Sequence, residues 1–288
     1  ARRVLDLHEW RPDMGGGTSS GPVIGAALAS GHNSRALWAL WRRLRTKDVQ
    51  KVNLNPLNGY FLLDTSPLRK TLEEAGWVDF ERINDIKKAA VHLRVTATEV
   101  NTGHLHVFGN SHDVYPSRME QEALEMDHIV ASCSIPIVYP ATMLHETLYW
   151  DGATVANTPL GPAIDACAEE IVVGIMTPWD NEEEVISPTP ANLISAASTT
   201  LEWALMASFQ ADLKLFRRVN ELVRLEVENA RLRAANELLI RRLRGEATEF
   251  EDLDGDGVPD ILQEKYHSLP DPIIVAPKKA IPVEQIIS

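Results

Sequence analysis

Hydrophobic and polar residues follow two different periods along about the first 180 residues of the chain. Val91–Val100 has apolar side chains at alternate positions, which predicts a strand with one buried face, and Leu105–Phe108 follows as its hairpin partner. Ile171–Met176 is a short continuous apolar run, typical of a strand buried on both faces. Amphipathic helical segments lie between the strands, such as the one from Ala36 to Leu44. We therefore expect an α/β fold, a three-layer α/β/α sandwich with a central, mostly parallel sheet and additional C-terminal helices.

The pattern changes over residues 190–245, where it predicts two helices, the second long and charged. Nine basic and five acidic residues lie between Ala211 and Arg244, so this segment has a net charge of +4. It also carries a heptad repeat of leucines in which two a positions hold asparagine. The repeat consists of Leu222, Leu225, Asn229, Leu232, Asn236, Leu239 and Leu243. Three interpretations remain open: a helix that lies on the domain with its basic face in water, a helix that pairs with another subunit, and a helix that contacts a membrane surface.

These changes of pattern divide the chain into three predicted segments. Residues 1–187 form the predicted core, residues 188–245 form C-terminal helices that pack on it, and residues 246–288 form an acidic loop and a C-terminal segment. The first residues, Arg2–Leu7, have a helix-like pattern and lack the charged leader and apolar run of a signal peptide.

Charge and composition exclude several classes of function. The 288 residues include 28 Lys+Arg and 41 Asp+Glu, and the resulting net charge of −13 repels a phosphate backbone, so we expect no nucleic-acid partner. Cys133 and Cys167 are the only cysteines, too few for a disulfide framework or a zinc cage, which predicts a reduced, cytoplasmic protein. The sequence has no run of about 18 apolar residues, the length that a membrane-spanning helix needs, so any membrane contact is expected to be peripheral.

The pentapeptide Gly17–Gly21 fits the pattern G-x-S-x-G and precedes an apolar helix of small residues. Glycine at both ends permits a sharp turn between a strand and a helix, which exposes the serine hydroxyl above the sheet. The first amides of the helix have no partner within the helix, and they lie at its positive end, where they stabilise an oxyanion. We therefore predict Ser19 as a nucleophile and the backbone amide of Ser20 as an oxyanion donor. A plain Gly/Ser turn is the alternative.

A serine nucleophile needs a base, and the nine histidines lie in no recurrent catalytic context. A triad in the order serine, acid, histidine leaves mainly His267 as its last member. Asp151 is the stronger candidate, because it follows an aromatic strand end and precedes Gly152. Loss of solvation there raises the pKa of a carboxylate and makes it a usable base. A structural turn capped by Asp151 is the alternative.

Several of these stretches resemble the patatin-like phospholipases, a family of lipid acyl hydrolases that use a Ser-Asp dyad. The matching stretches are Pro12–Asp13 with Gly17–Gly21, Ala131–Pro136, and Trp150–Ala153 with Ala156–Leu160. Their order and approximate spacing are those of the family. The resemblance implies that Ser19 is the nucleophile, that Asp151 is the base, that an acyl-serine forms and that no cofactor is required. It covers residues 1–180 well and the later helices loosely.

The family has a glycine-rich oxyanion loop some tens of residues before its nucleophile, whereas only eighteen residues precede Ser19 here. We therefore expect the first strand and this loop to be missing, either because the chain is a fragment or because it is a weakened or inactive member. Loss of one oxyanion donor costs about a hundredfold to a thousandfold in rate. A second departure from the family pattern is Pro22, at a position where the family usually has a small residue with a backbone amide. Proline is tolerated at a helix start.

An acidic loop near the C-terminus resembles calcium-binding loops of the EF-hand type. Its carboxylates occupy positions 1, 3, 5 and 9 of such a loop, and they belong to Asp252, Asp254, Asp256 and Asp260. The twelfth position holds Gln263 instead of a bidentate glutamate. Calcium at this loop and a solvated acidic linker both remain open.

Three functional hypotheses follow from the sequence. The first is hydrolysis of a lipid ester or phospholipid by Ser19 and Asp151. The second is a catalytically weakened or inactive scaffold that binds lipid or a protein partner, or forms a homo-oligomer, through residues 211–244. The third is a serine hydrolase whose triad includes His267.

Overall fold

A computed structural model describes residues 11–54, 61–110, 119–156, 158, 160–175, 193–246 and 268–277. The chain divides into two compact units, each defined by the contacts among its own residues. The first unit comprises residues 1–168, 172–210 and 273–288, and the second comprises residues 169–171 and 211–272.

The described residues form ten strands and eight α-helices. The strands are β1 (Met14–Gly17), β2 (Lys51–Val52), β3 (Leu63–Asp64), β4 (His92–Glu99), β5 (Leu105–Gly109), β6 (Met119–Gln121), β7 (Thr142–Leu144), β8 (Thr147–Asp151), β9 (Val172–Gly174) and β10 (Ile273–Val275). The helices are α1 (Gly21–Ala29), α2 (Ser34–Trp41), α3 (Thr46–Val49), α4 (Ser66–Glu74), α5 (Phe80–Asn84), α6 (Met126–Ser132), α7 (Gly161–Asp165) and α8 (Leu193–Arg244), and a short 3-10 helix spans Gly152–Thr154.

Six strands form the main sheet, in the order β6-β5-β4-β8-β7, with β1 also paired to β4. β1 is parallel to β4 and β6 is parallel to β5, whereas β5 and β8 are antiparallel to β4 and β7 is antiparallel to β8. The β7–β8 turn has positive φ at both His145 (46°) and Glu146 (67°), as a type I′ hairpin turn requires. The predicted α/β class and the predicted β4–β5 hairpin are confirmed, and such hairpins make the sheet mixed.

Strand β4 is the centre of this sheet, and its residues 93–98 are all buried. Leu93, Val95 and Ala97 face the apolar core, which α1, α4 and α6 supply with side chains. The alternate positions carry Arg94 and two threonines, and the Arg94 guanidinium donates a hydrogen bond to the Pro162 carbonyl of α7. Because neither face of β4 is open to water, its buried threonines can serve as internal anchors for neighbouring loops.

Helix α8 differs from the sequence-based expectation. Residues 190–245 were expected to form two helices, whereas Leu193–Arg244 is one continuous helix. Its 52 residues include neither glycine nor proline, so nothing in the sequence interrupts its hydrogen bonds. No helix among the described residues is long and apolar enough to cross a membrane.

The apolar run Ile171–Met176 contains β9, which confirms the predicted strand. β9 pairs in parallel with β10 in a separate two-stranded sheet, and Gly174 at its end is exposed. Burial on both faces is therefore wrong for this strand, because a sheet of two strands leaves part of each strand open to water.

Candidate active site

Two strands end opposite each other beside β4. β5 pairs along one edge of β4, so β1 and β8 both lie along its other edge. β1 is parallel to β4 and ends at Gly17, one register position before Thr96; β8 is antiparallel and ends at Asp151, one position after Thr96. The carboxyl ends of the two strands therefore point at each other. This arrangement brings Ser19, two residues beyond β1, next to Asp151.

Ser19 lies on a sharp turn between β1 and α1. Its φ of 60° is in the left-handed region, which costs a residue with a Cβ about 1–2 kcal/mol. The turn is so tight that a Cβ on Gly17 would lie 2.4 Å from the carbonyl carbon of Gly21. The Gly21 amide also donates to the Thr18 carbonyl at 3.0 Å. The predicted sequence of strand, tight turn and helix is present, and Gly17 is required by close contact with the backbone.

A short segment after α6 holds both Ser19 and Asp151. The Ser19 amide donates to the carbonyl oxygen and the hydroxyl oxygen of Ser132, at 3.1 and 3.2 Å. The Cys133 thiol donates to the Ser19 carbonyl, with sulfur and oxygen 2.9 Å apart. The Asp151 amide donates to the Ser134 carbonyl at 2.8 Å. Three consecutive residues thus fix the backbone of the serine and of the aspartate relative to each other.

Thr96 links the same two strand ends from inside the sheet. Its hydroxyl lies 2.7 Å from the Thr18 hydroxyl and donates to the Gly17 carbonyl at 3.2 Å. On the other side, a Cβ on Gly152 would lie 2.6 Å from the Thr96 hydroxyl oxygen. The glycine that follows Asp151 is therefore required by its contact with Thr96.

The Asp151 side chain is 1% exposed, and one of its oxygens, Oδ1, accepts a hydrogen bond from the Ala153 amide at 2.9 Å. Oδ2 is buried and has no hydrogen-bond partner among the described residues. Burial raises the pKa of Asp151 to about 7, while the Ala153 amide and then the Ser19 hydroxyl and amide lower it. Ser19 is near enough to act on this carboxyl, although it does not complete a hydrogen bond to Oδ2.

The surroundings of Cys133 disfavour ionisation of its thiol. Burial raises its pKa strongly, and the negative charge of Asp151 raises it further. The protonated thiol is the form that can donate to Ser19, so Cys133 is suited to positioning the turn and unsuited to acting as a nucleophile.

Ser20 is the N-cap residue of α1, directly after Ser19. The N-terminal end of this nine-residue helix is its positive end. The assignment of the Ser20 amide as an oxyanion donor stays a prediction.

Other predicted residues lie outside the described part of the chain. They are Arg2–Leu7, Asn157, Pro159, His267 and the four carboxylates of the acidic loop, Asp252, Asp254, Asp256 and Asp260. Among the residues that are described, no histidine is a hydrogen-bond partner of Ser19 or Asp151. Calcium binding and a triad with His267 stay predictions.

One cluster in the described residues has the composition of a metal site: Glu122, His128 and His145. However, Nδ1 of His128 accepts a hydrogen bond from the Glu125 amide at 3.0 Å, which places the imidazole proton on Nε2. Nε2 then donates to Glu122 at 2.6 Å. A metal-bound histidine has the opposite arrangement, because its second nitrogen donates its proton. This cluster is therefore a hydrogen-bond network.

Sequence reasoning missed the part played by Thr96 and by Ser132–Ser134. The signal for Thr96 is present in the sequence, because Arg94, Thr96 and Thr98 alternate with the apolar face of a strand in which both faces are buried. Ala131–Pro136 was one of the stretches that carried the family resemblance. The hydrogen bonds by which Ser132–Ser134, here called the clamp, hold Ser19 and Asp151 cannot be predicted from a residue pattern.

The chain was also compared with known protein families and with curated proteins. The family described as Patatin-like phospholipase matches residues 3–164, which is more than half of the chain and includes Ser19, Ser132–Ser134 and Asp151. A comparison with curated proteins gives no match. The chain belongs to the patatin-like phospholipase family, and that membership identifies it as a hydrolase of the lipid esterase kind.

Proposed function

We propose that this protein cleaves lipid esters with Ser19 as the nucleophile and Asp151 as the only general base. The observation that carries the proposal is the meeting of two strand ends beside Thr96, which sets a serine on a strained turn against a buried carboxyl. A base works best when its pKa is close to the working pH. Burial raises the pKa of Asp151 to about 7, so no imidazole is needed to bring a base into this range.

In the first half of the reaction, ionised Asp151 takes the proton of the Ser19 hydroxyl. The serine oxygen then attacks the ester carbonyl carbon and forms a tetrahedral oxyanion. As the bond from that carbon to the leaving oxygen breaks, Asp151 returns the proton to the leaving alcohol. The product is an acyl-serine at Ser19 and a free alcohol, which for a diacyl phospholipid is the lysophospholipid with one glycerol hydroxyl freed.

In the second half, Asp151 takes a proton from water, and the resulting hydroxide attacks the carbonyl carbon of the acyl-serine. The bond to the Ser19 oxygen breaks, the serine regains its proton from Asp151, and the fatty acid leaves. Each half begins and ends with Asp151 ionised, so the cycle consumes one ester and one water and needs no cofactor.

The oxyanion of both halves needs donors, and the amide of Ser20 at the start of α1 is the donor that we propose. The α1 N-terminus favours negative charge close to it. The Ser19 amide is directed at Ser132 instead, since it donates to both oxygens of that residue. That bond keeps the turn fixed while charge develops on the substrate.

Steady-state hydrolysis of a short-chain nitrophenyl ester and of phospholipid vesicles by purified variants tests this proposal. Ser19→Ala and Asp151→Asn are expected to lower kcat by at least about a thousandfold, because the nucleophile and its base act as a unit. Ser66→Ala, at an exposed serine on α4, is the matched control and is expected to retain the wild-type rate.

His267→Ala separates the dyad from a triad. The dyad predicts wild-type activity for this variant, whereas a loss comparable to that of Ser19→Ala would contradict it. Full activity in either Ser19→Ala or Asp151→Asn would also overturn the proposal. Folded wild-type protein with no hydrolysis of either substrate would favour the scaffold hypothesis.

A further inference from the structure

A row of leucines along the second half of α8 is open to solvent. It consists of Leu215, Leu222, Leu225, Leu232, Leu239 and Leu243, here called the leucine seam. These side chains are between 54% and 80% exposed. Each occupies an a or d position of one heptad frame that extends over four heptads, from Leu215 to Leu243. So many exposed leucines in a single register are characteristic of a helix that pairs with another helix.

The second unit uses a different face of α8 for its own packing. The buried residues of this part of the helix, Leu213, Phe216, Asn220 and Ala234, all fall on b and f positions of the same frame. The Asn220 side chain makes two hydrogen bonds to the backbone of Leu269, at 2.8 and 3.0 Å. The internal contacts of the unit therefore lie on the side of the helix away from a and d, and they leave the leucine seam available.

We propose that the leucine seam binds the leucine seam of a second copy of this chain in a parallel, in-register, two-stranded coiled coil. Leucine fills three successive d positions, at residues 225, 232 and 239, and asparagine at an a position specifies the register and number of strands of a coiled coil. The a positions hold leucine at both ends of the repeat, at residues 215, 222 and 243, with asparagine between them. The occupant is a copy of the same helix because that helix supplies the partner that each asparagine needs.

Asn229 and Asn236 select the parallel orientation. In a parallel, in-register pair every a residue faces the same residue of the second copy, so each asparagine amide can donate to the carbonyl of its counterpart. In an antiparallel pair a positions face d positions, and the d positions in the middle of the repeat are all leucine. Each asparagine would then face a d residue, which is leucine, Arg218 or Ala211 depending on the register, and never the other copy's asparagine.

Charged residues at the edges of the seam influence the orientation of the pair less than the asparagines do. The parallel pair sets Glu228 at g against Arg233 at e of the second copy, which is attractive, and Glu221 against Glu226, which is repulsive. An antiparallel pair in the register that sets Asn229 against Leu232 would match Glu226 with Arg233. These edge pairs remain in water, where an ion pair contributes less than an unpaired buried amide costs. The asparagines therefore decide the orientation.

Sedimentation equilibrium of the intact protein over a micromolar concentration range tests the pairing. The wild type is expected to be a dimer, and Leu225→Glu/Leu232→Glu is expected to dimerise about a hundredfold or more less tightly, because it buries four charges in the seam. Leu54→Glu/Leu62→Glu adds the same charges at exposed leucines of the first unit and is expected to remain a dimer. Far-UV circular dichroism verifies that α8 stays helical in each variant.

A cysteine at an a position tests the orientation. In a Cys167→Ser background, Leu215→Cys is expected to give a disulfide-linked dimer, since the two cysteines face each other in the parallel pair. In either antiparallel register that keeps four leucine layers, residue 215 would lie opposite residue 232 or 239, so the two cysteines would be at least about 25 Å apart.

Four results would overturn the proposal. They are a wild-type monomer, a dimer that Leu225→Glu/Leu232→Glu leaves intact, a dimer that Leu215→Cys does not cross-link, and a monomer that binds anionic lipid vesicles through residues 211–244. The last result would assign the seam to a membrane surface instead.

Discussion

Gly17 and Asp151 are the last residues of two strands that approach each other along one edge of β4, with only Thr96 between their register positions. Parallel pairing of β1 and antiparallel pairing of β8 bring two carboxyl ends to the same point of the sheet. The serine turn and the aspartate are therefore positioned by the rigid centre of the fold. Their relation depends on Thr96 and on the clamp Ser132–Ser134.

Gly17→Ala is expected to destabilise the protein by about 1–3 kcal/mol and to lower hydrolysis, because its Cβ would lie 2.4 Å from the Gly21 carbonyl carbon and push the serine turn away from Asp151. Gly16→Ala is the matched control, since a Cβ there meets no atom within 4 Å. Urea unfolding and ester hydrolysis of both variants give the comparison. Equal stabilities and equal hydrolysis rates for the two variants would contradict the tight turn.

Hydrolysis is expected to rise with pH through about 7 and to level off above it. Asp151 accepts a proton only when it is ionised, and burial raises its pKa to about 7, so a falling pH removes the base. The measurement is kcat/KM for a neutral ester over a range from about pH 5 to pH 9. A rate that stays constant between these limits would show that another group is the base.

The stability of the protein is expected to fall as pH rises from about 4 to about 7. The folded state keeps a proton on Asp151 in this window, because burial raises its pKa from 3.8 to about 7, whereas the unfolded chain has released it. Ionised Asp151 therefore costs the fold roughly 4 kcal/mol above pH 7. Asp151→Asn buries no charge, so it is expected to match the wild type near pH 4 and to exceed it at pH 8.

Denaturant unfolding at the two pH values measures this difference. Asp13→Asn, at an exposed aspartate, is the control and is expected to follow the wild-type pH dependence. Parallel pH profiles for Asp151→Asn and the wild type would show that Asp151 is not buried as a carboxylic acid.

A thiol reagent is expected to label Cys167 quickly and Cys133 slowly at pH 8. Cys167 is exposed, whereas burial and the charge of Asp151 raise the pKa of Cys133 and keep it protonated. Peptide mapping after timed reaction with iodoacetamide distinguishes the two sites. Similar rates at both would mean that Cys133 does not donate to the Ser19 carbonyl in the folded protein.

The sequence predicted those parts of the fold that depend on local pattern. The alternation from Val91 to Val100 locates β4, and Gly17–Gly21 predicts the turn between β1 and α1. The expectation of two helices over residues 190–245, the second of them charged, was wrong, because a change in charge content does not interrupt the backbone hydrogen bonds of α8. The clamp was missed because each of its hydrogen bonds has a main-chain partner, and those of Ser132 and Cys133 reach Ser19, more than 100 positions earlier in the chain.

Covalent labelling of the intact protein with a fluorophosphonate, followed by peptide mass spectrometry, tests the central claim most directly. The dyad predicts an adduct on Ser19, a loss of the adduct in Ser19→Ala, much slower labelling in Asp151→Asn, and unchanged labelling in Ser66→Ala. An adduct on a different serine, or wild-type labelling of Ser19 in Asp151→Asn, would contradict a serine that is activated by Asp151.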